Sequence, residues 1–291
     1  RREDCMLTSA AYTSVLGVIV TLTTPETIII SDELNHNCII NAMKLSRPKD
    51  KKVYRHMNMA DLEHKIVESI DQCDTILLIT DGVFSMRGVF APLETICQIA
   101  AKYNDRFPRG IVVIVDDSHG VGALGKTGRG TEEYCNTRCD VLIGTLGKAF
   151  GVNGGFVVSS AAVIEFLRET APMYIYSNPI TVSEAKAATR ALQILDSDEG
   201  RKIVAHVAAM TKRFEDGVVK AGFETIPGPH PVVPLMVRDT ARTADIVKWL
   251  KEHGGLFTFL PPRAGAICFV RYGLKVNSTE LAERLIRERS V

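Results

Sequence analysis

Asp140-Val141-Leu142-Ile143-Gly144-Thr145-Leu146-Gly147-Lys148-Ala149-Phe150-Gly151 joins a short apolar run to a glycine-rich turn that holds one lysine. The run Val141 to Ile143 reads as a strand. Small residues around Lys148 let backbone approach a ligand closely. A partly desolvated lysine at a strand end loses its proton more easily and can act as a nucleophile toward a carbonyl. A glycine-rich turn with a solvated lysine is the other reading, and such turns are common. Either way a strand ends in a polar loop, and that form recurs outward along the chain.

The nearest recurrence is Gly110 to Val115, a buried-strand run that ends in Asp116-Asp117-Ser118-His119-Gly120. Before it, Thr75 to Ile79 runs into Thr80-Asp81-Gly82-Val83-Phe84-Ser85-Met86-Arg87-Gly88, and Thr27 to Ser31 into Asp32-Glu33-Leu34-Asn35-His36-Asn37. Lys51 to Arg55 reads as a further strand and Gly154 to Ser159 as a returning one. Helical periodicity lies between them at Cys38 to Lys44, Met59 to Ile70 and Ala91 to Tyr103. This alternation predicts a mostly parallel α/β sheet between helices. In such sheets ligands gather beyond the carboxyl ends of the strands.

At the start, Asp4 to Val20 reads as a cap, small residues, then an apolar helix. Its small-residue turn either offers free N–H groups to a phosphate or simply caps the helix. After Tyr176-Ser177-Asn178-Pro179 the pattern changes. Helices are expected at Val182 to Leu195 and at Glu199 to Ala221, the latter stopped by Gly222. Strands near Val233 to Val237 and Ala266 to Arg271, with helices near Ala241 to Glu252 and Thr279 to Arg287, suggest a smaller α+β domain. The expected division is a large domain over 1–180, and linking helices with a small domain over 181–291.

The 291 residues are 46% hydrophobic and 24% charged, ordinary soluble composition. A net charge of +1 gives no general pull toward nucleic acid or anionic membrane. No apolar run reaches the length of a membrane span. Seven scattered cysteines, an odd number, fit buried thiols in a reducing compartment. Cys135 and Cys139 lack a second close Cys/His pair, so no metal site is expected.

Two carboxylates and an imidazole at the end of a buried strand are costly unless they serve a partner. An aspartate facing a pyridinium would keep that nitrogen protonated, and a histidine three residues on could meet the ring's phenolic oxygen. A metal site or a capping Asp pair is the alternative. The chain also resembles a known family, the α-oxoamine synthases, which are pyridoxal phosphate enzymes of the aspartate-aminotransferase fold, fold type I. The resemblance rests on Ser31 to His36, Asp81 to Met86, Asp116 to His119, Gly125 to Gly130, Glu133 to Asn136 and Gly144 to Gly151, in that order. It covers essentially the whole chain.

The resemblance implies pyridoxal 5'-phosphate as cofactor and Lys148 as its Schiff-base lysine. Asp116 would pair with the pyridine nitrogen, His119 would reach the phenolic oxygen, and His36 would stack on the ring. Ser85 would lie beside it. The N–H groups of Ala11 and Tyr12, the Thr145 hydroxyl, and Ser177 or Asn178 from a partner subunit would hold the phosphate. Arg271 falls at the family's carboxylate-binding arginine, where a bidentate contact suits, and His36 could also meet the substrate. The implied reaction condenses an amino acid with an acyl-CoA, glycine with acetyl-CoA by preference, in a homodimer with shared active sites. Longer donors, pimeloyl or palmitoyl, and a non-catalytic partner subunit are the alternatives. The implied compartment is cytoplasmic, or mitochondrial after removal of a transit segment. Family members carry a further N-terminal segment before the point matching Arg1, and where they usually read Asp-Gly-Asp after Met86 this chain departs, with Arg87-Gly88-Val89-Phe90.

Overall fold

A computed structural model describes residues 2–252, 257–260 and 269–272. In chain order the elements are β1 (Asp4–Thr8), α1 (Ala11–Leu22), β2 (Thr27–Asp32), α2 (Asn37–Leu45), β3 (Asp50–Tyr54), α3 (Met59–Val67), β4 (Thr75–Asp81), α4 (Leu93–Tyr103), β5 (Ile111–Asp116), α5 (Thr131–Tyr134), β6 (Val141–Thr145) and β7 (Gly155–Ser159). There follow α6 (Ala161–Thr170), α7 (Pro172–Ile175), α8 (Val182–Leu195), α9 (Asp198–Lys220), α10 (Thr240–Glu252), β8 (Phe257–Leu260) and β9 (Phe269–Tyr272).

Seven strands form one sheet in the order β1-β7-β6-β5-β4-β2-β3. β3, β2, β4, β5 and β6 are mutually parallel, and β7 runs against both of its neighbours. The central strands read as unbroken apolar runs because both faces are covered. Alternation sorts their side chains into two cores. Ile28, Ile30, Ile76, Leu78, Val113 and Val115 pack with Leu62, Ile66, Leu93 and Ile96 of α3 and α4. Ile29, Leu77, Ile79, Ile114, Val141 and Ile143 pack with Val15, Val18 and Ile19 of α1, Ile39 of α2, and Ile164 and Leu167 of α6.

Parity then fixes where the polar strand ends point. Asp81 follows Leu77 and Ile79, Asp116 follows Ile114, and Thr145 follows Val141 and Ile143. All three leave the sheet on the face covered by α1 and α2. Asp117, one residue on, leaves on the other.

Two expectations are corrected. Asp4 to Thr8 is a strand and not a cap. It alternates exposed Cys5 and Leu7 with buried Met6 and Thr8, and its partner β7 lies far along the chain, so local sequence carries no signal of the pairing. Val233 to Val237 is not a strand: Pro234 lacks the N–H that a ladder needs, and only Met236 bridges, to Glu224. Of the strand expected over Ala266 to Arg271, the described part is β9, antiparallel to β8, with Arg271 opposite Thr258. The helix expected over Thr279 to Arg287 lies outside the described residues. The expected division at 180/181 falls beside Thr181, whose hydroxyl and Glu184 form a capping box that starts α8. Gly222 follows α9 at φ +83°, a stop that glycine adopts without strain. No described helix is long and apolar enough to cross a membrane.

Because Leu78 and Ile79 lie in opposite cores, Leu78→Ala and Ile79→Ala are each expected to cost about 2–5 kcal/mol in urea unfolding. A near-neutral result for either would mean that one face of β4 is open to water.

Candidate active site

The carboxyl ends of β2, β4, β5 and β6 and the N-terminus of α1 surround a cavity of about 270 Å³. Its lining includes Ala11, Tyr12, His36, Ser85, Asp116, His119, Thr145 and Lys148. Eight of the residues singled out in the sequence thus meet at one place. Ser177 and Asn178 do not line it. They are exposed beyond α7, and the Ser177 hydroxyl lies 3.5 Å from that of Ser9. The side chain of Arg271 lies outside the described residues.

Each wall has a local cause. Lys148 sits in the loop between antiparallel β6 and β7, which is closed by Leu146 N–H to the Gly154 carbonyl at 2.9 Å and Val152 N–H to the Leu146 carbonyl at 2.9 Å. Burial lowers the Lys148 pKa, opposed by the negative charge of Asp116 and Asp81. Asp116 Oδ1 accepts from the Ser118 hydroxyl at 2.5 Å and the Ser118 N–H at 3.1 Å, and its Oδ2 lies 3.5 Å from the Cys38 thiol, which donates to it. His36 caps α2: its Nδ1 accepts the Cys38 N–H at 3.2 Å. That bond leaves the proton of a neutral imidazole on Nε2. Burial, and then the Lys148 charge, drive the His119 pKa down to about 3, so its imidazole is neutral and can donate from one nitrogen.

Where α1 meets the cavity, its N-cap is Ala10, which makes no side-chain cap hydrogen bond to the first-turn N–H groups, and the first turn holds no acidic residue. Such a helix start is suited to an anion, and Lys148 and Thr145 line the same cavity. Gly155 makes this possible, since a Cβ there would overlap the backbone of Ala10 and Ala11.

Three further residues belong to the site. Asp81 lines the cavity and is the register partner of Asp116 on the neighbouring strand. Its Oδ2 accepts the His36 N–H at 2.9 Å, while Asn35 Oδ1 accepts the Asp81 N–H at 2.8 Å, so the ends of β4 and β2 clasp each other. Burial and then the Asp116 charge push the Asp81 pKa well above the usual carboxylate range. Cys38 and Ser118 hold Asp116, as described. The sequence signal for Asp81 was its place at the end of a strand beside the one that ends in Asp116. Cys38 and Ser118 carried none beyond closeness to His36 and Asp116.

An uncapped helix start, a half-buried amine, a fixed carboxylate and two imidazoles in one slot form a donor set that fits a phosphorylated pyridine carrying an aldehyde. The family profile for aminotransferase class I and II matches residues 1–289. The chain belongs to the aminotransferase class I and II family. Within it the chain is similar to α-oxoamine synthases, whose cofactor is pyridoxal 5'-phosphate. A putative 8-amino-7-oxononanoate synthase of Bacillus licheniformis is 38% identical over 252 residues, which are 87% of this chain and 64% of that protein. The mitochondrial 2-amino-3-ketobutyrate coenzyme A ligase of Bos taurus is 38% identical over 257 residues, 87% of this chain and 59% of that one. The chain therefore spans less than two thirds of either relative. A serine palmitoyltransferase of Sphingomonas wittichii has the same fold, with a TM-score of 0.81 at 25% identity over 99% of this chain and 73% of that one.

The neutral His119 has a consequence for stability. Its ordinary pKa is 6.5 and its folded value about 3. Between those values the unfolded chain binds a proton that the folded chain refuses, so this residue weakens the fold as pH drops below about 6.5. His119→Gln is expected to spare about 1–2 kcal/mol of the stability that the parent loses between pH 7.5 and pH 5. Urea unfolding at the two pH values measures this, and identical losses in the two proteins would mean that the folded imidazole is charged.

Proposed function

We propose that this chain is a pyridoxal phosphate-dependent acyltransferase that condenses an amino acid with an acyl-CoA, glycine with acetyl-CoA being the favoured pair. One observation carries the reading: Lys148, Asp116, His119, His36, Thr145 and the uncapped start of α1 line the same cavity. When bound, the cofactor supplies an electron-withdrawing ring that stabilises negative charge on the substrate's α-carbon.

The chain's own groups divide the remaining work. The N–H groups at Ala11 and Tyr12 and the Thr145 hydroxyl would hold the phosphate. Ser177 or Asn178 would reach it from the partner subunit of a homodimer. Asp116, aimed by the Ser118 N–H and hydroxyl, would hold a proton on the ring nitrogen. His119 would donate to the phenolic oxygen, Ser85 would flank the ring, and His36 would cover one face with Nε2–H directed toward the substrate. The lowered pKa of Lys148 suits an amine that takes the proton from the α-carbon as general base. Arg271 would bind the substrate carboxylate. The six described cysteines are all free thiols, which suits a reducing compartment such as the cytoplasm or the mitochondrial matrix.

The glycine and acetyl-CoA pairing draws support from the wording of the landmark motifs and from the likeness to 2-amino-3-ketobutyrate coenzyme A ligase. The equal likeness to an 8-amino-7-oxononanoate synthase favours a longer acyl donor as the second reading.

Purified chain mixed with pyridoxal phosphate is expected to develop an absorbance band in the visible or near-ultraviolet that Lys148→Ala abolishes. The same substitution should lower turnover by about 10²–10⁴-fold. A missing band in the parent would refute the cofactor reading. Release of CoA thiol from glycine plus acetyl-CoA, set against pimeloyl and palmitoyl donors, chooses the substrate. Failure with every donor despite a normal band would point to a non-catalytic subunit.

A further inference from the structure

His230 lies between α9 and α10, outside the sheet and outside every motif singled out in the sequence. It is 2% exposed. Its Nε2 lies 2.7 Å from the carbonyl oxygen of His119, and its Nδ1 accepts the N–H of Val232 at 3.1 Å. With Nδ1 accepting, the ring proton sits on Nε2 and is donated to His119. The two imidazoles meet edge to face, with centroids 6.3 Å apart and planes at 78°.

The segment that carries His230 is itself held. The Gly228 N–H donates to Glu215 Oε1 of α9 at 3.0 Å, and Glu215 is buried. On its other side the segment presses on the loop that carries Ser85. Gly88 there has φ +67°, and a Cβ on it would overlap the Val232 carbonyl. One strap anchored on α9 therefore touches two of the loops that shape the cavity. His119 sits in a turn and not in a ladder, so its direction depends on such contacts. Histidine suits this duty because one ring edge can be tied to its own strap while the other reaches across.

We propose that His230 is a positioning residue that holds the His119 backbone so that the His119 imidazole faces the cofactor ring. The inference rests on the cofactor reading above and deepens it. It assigns to the strap between α9 and α10 a share in setting the electronic state of the ring, through the donor that meets the ring's phenolic oxygen.

The test uses the whole chain loaded with pyridoxal phosphate and compares His230→Phe, His230→Ala and His230→Gln with the parent. Phenylalanine keeps the volume and loses the donor, whereas glutamine keeps an N–H near the Nε2 position. The pH midpoint of the cofactor band is expected to move by about half a unit to one unit in the Phe and Ala variants, since it reports the donor at the phenolic oxygen. Their kcat is expected to fall about 10-fold with KM for the amino acid within about threefold, and Gln is expected to restore most of both. Melting temperature is followed in parallel. Parent-like midpoints and kcat in Phe and Ala would overturn the proposal. So would a loss of melting temperature alone, equal in Phe and Gln. A parent chain with no band overturns the cofactor reading and this inference with it. A parent with the band and variants that match it overturns this inference alone.

Discussion

The Asp117 carboxylate has no exposure to solvent and is met by the Thr131 N–H at 2.8 Å and the Thr131 hydroxyl at 2.6 Å. A buried carboxylate is tolerable only with such partners, and burial still raises its pKa to about 7. Around it, Gly82, Gly120 and Gly130 approach so closely that a Cβ on any of them would overlap the carboxylate. Those glycines begin the loop after β4, end the turn after β5 and precede α5. One side chain therefore locks three segments together. Its own N–H donates to the Ile143 carbonyl at 2.8 Å, which adds β6. Asp116 can face the cavity with fixed aim because its neighbour, pointing to the opposite face, cannot move.

On the cavity side the organising term is charge. Asp81 and Asp116 sit side by side on adjacent strands, buried, with Lys148 opposite. Burial first, and then the charge of neighbouring Asp116, makes Asp81 hold its proton to higher pH than usual. Desolvation weakens the amine's hold on its own proton, and the charges of Asp116 and Asp81 oppose that.

Much of this was legible in the residues. The sheet was, because β2, β4, β5 and β6 are apolar on both faces and end in polar loops, a pattern that local sequence carries. The cavity was, because His36, Asp116 and Lys148 each follow such a strand within a few positions. β1 was not, since its partner β7 is distant and its outer face is open. The strand expected at Val233 to Val237 looked sound from β-branched content, and Pro234 defeats it. His230 was invisible for a different reason: its partner is a backbone carbonyl more than a hundred positions away, and no side-chain pattern marks a carbonyl in need of a donor. Asp117 was read only as one of a polar pair, because the glycines that enclose it are scattered across the chain.

The bare start of α1 reaches beyond binding. A helix that begins with Ala forgoes about 1 kcal/mol that a Ser, Thr, Asn or Asp cap would contribute. Here that end has no side-chain cap, and α1 carries Val15, Val18 and Ile19 into the core beside β6 and β7. On the proposed reading the phosphate completes the helix, so cofactor supply and folded population are linked by mass action. Free cofactor at a hundred times its dissociation constant shifts the balance toward the folded state by about 2.7 kcal/mol. A vitamin-starved cell would then lose more than turnover: the empty chain would spend more time open to proteases, and its abundance would follow the nutrient.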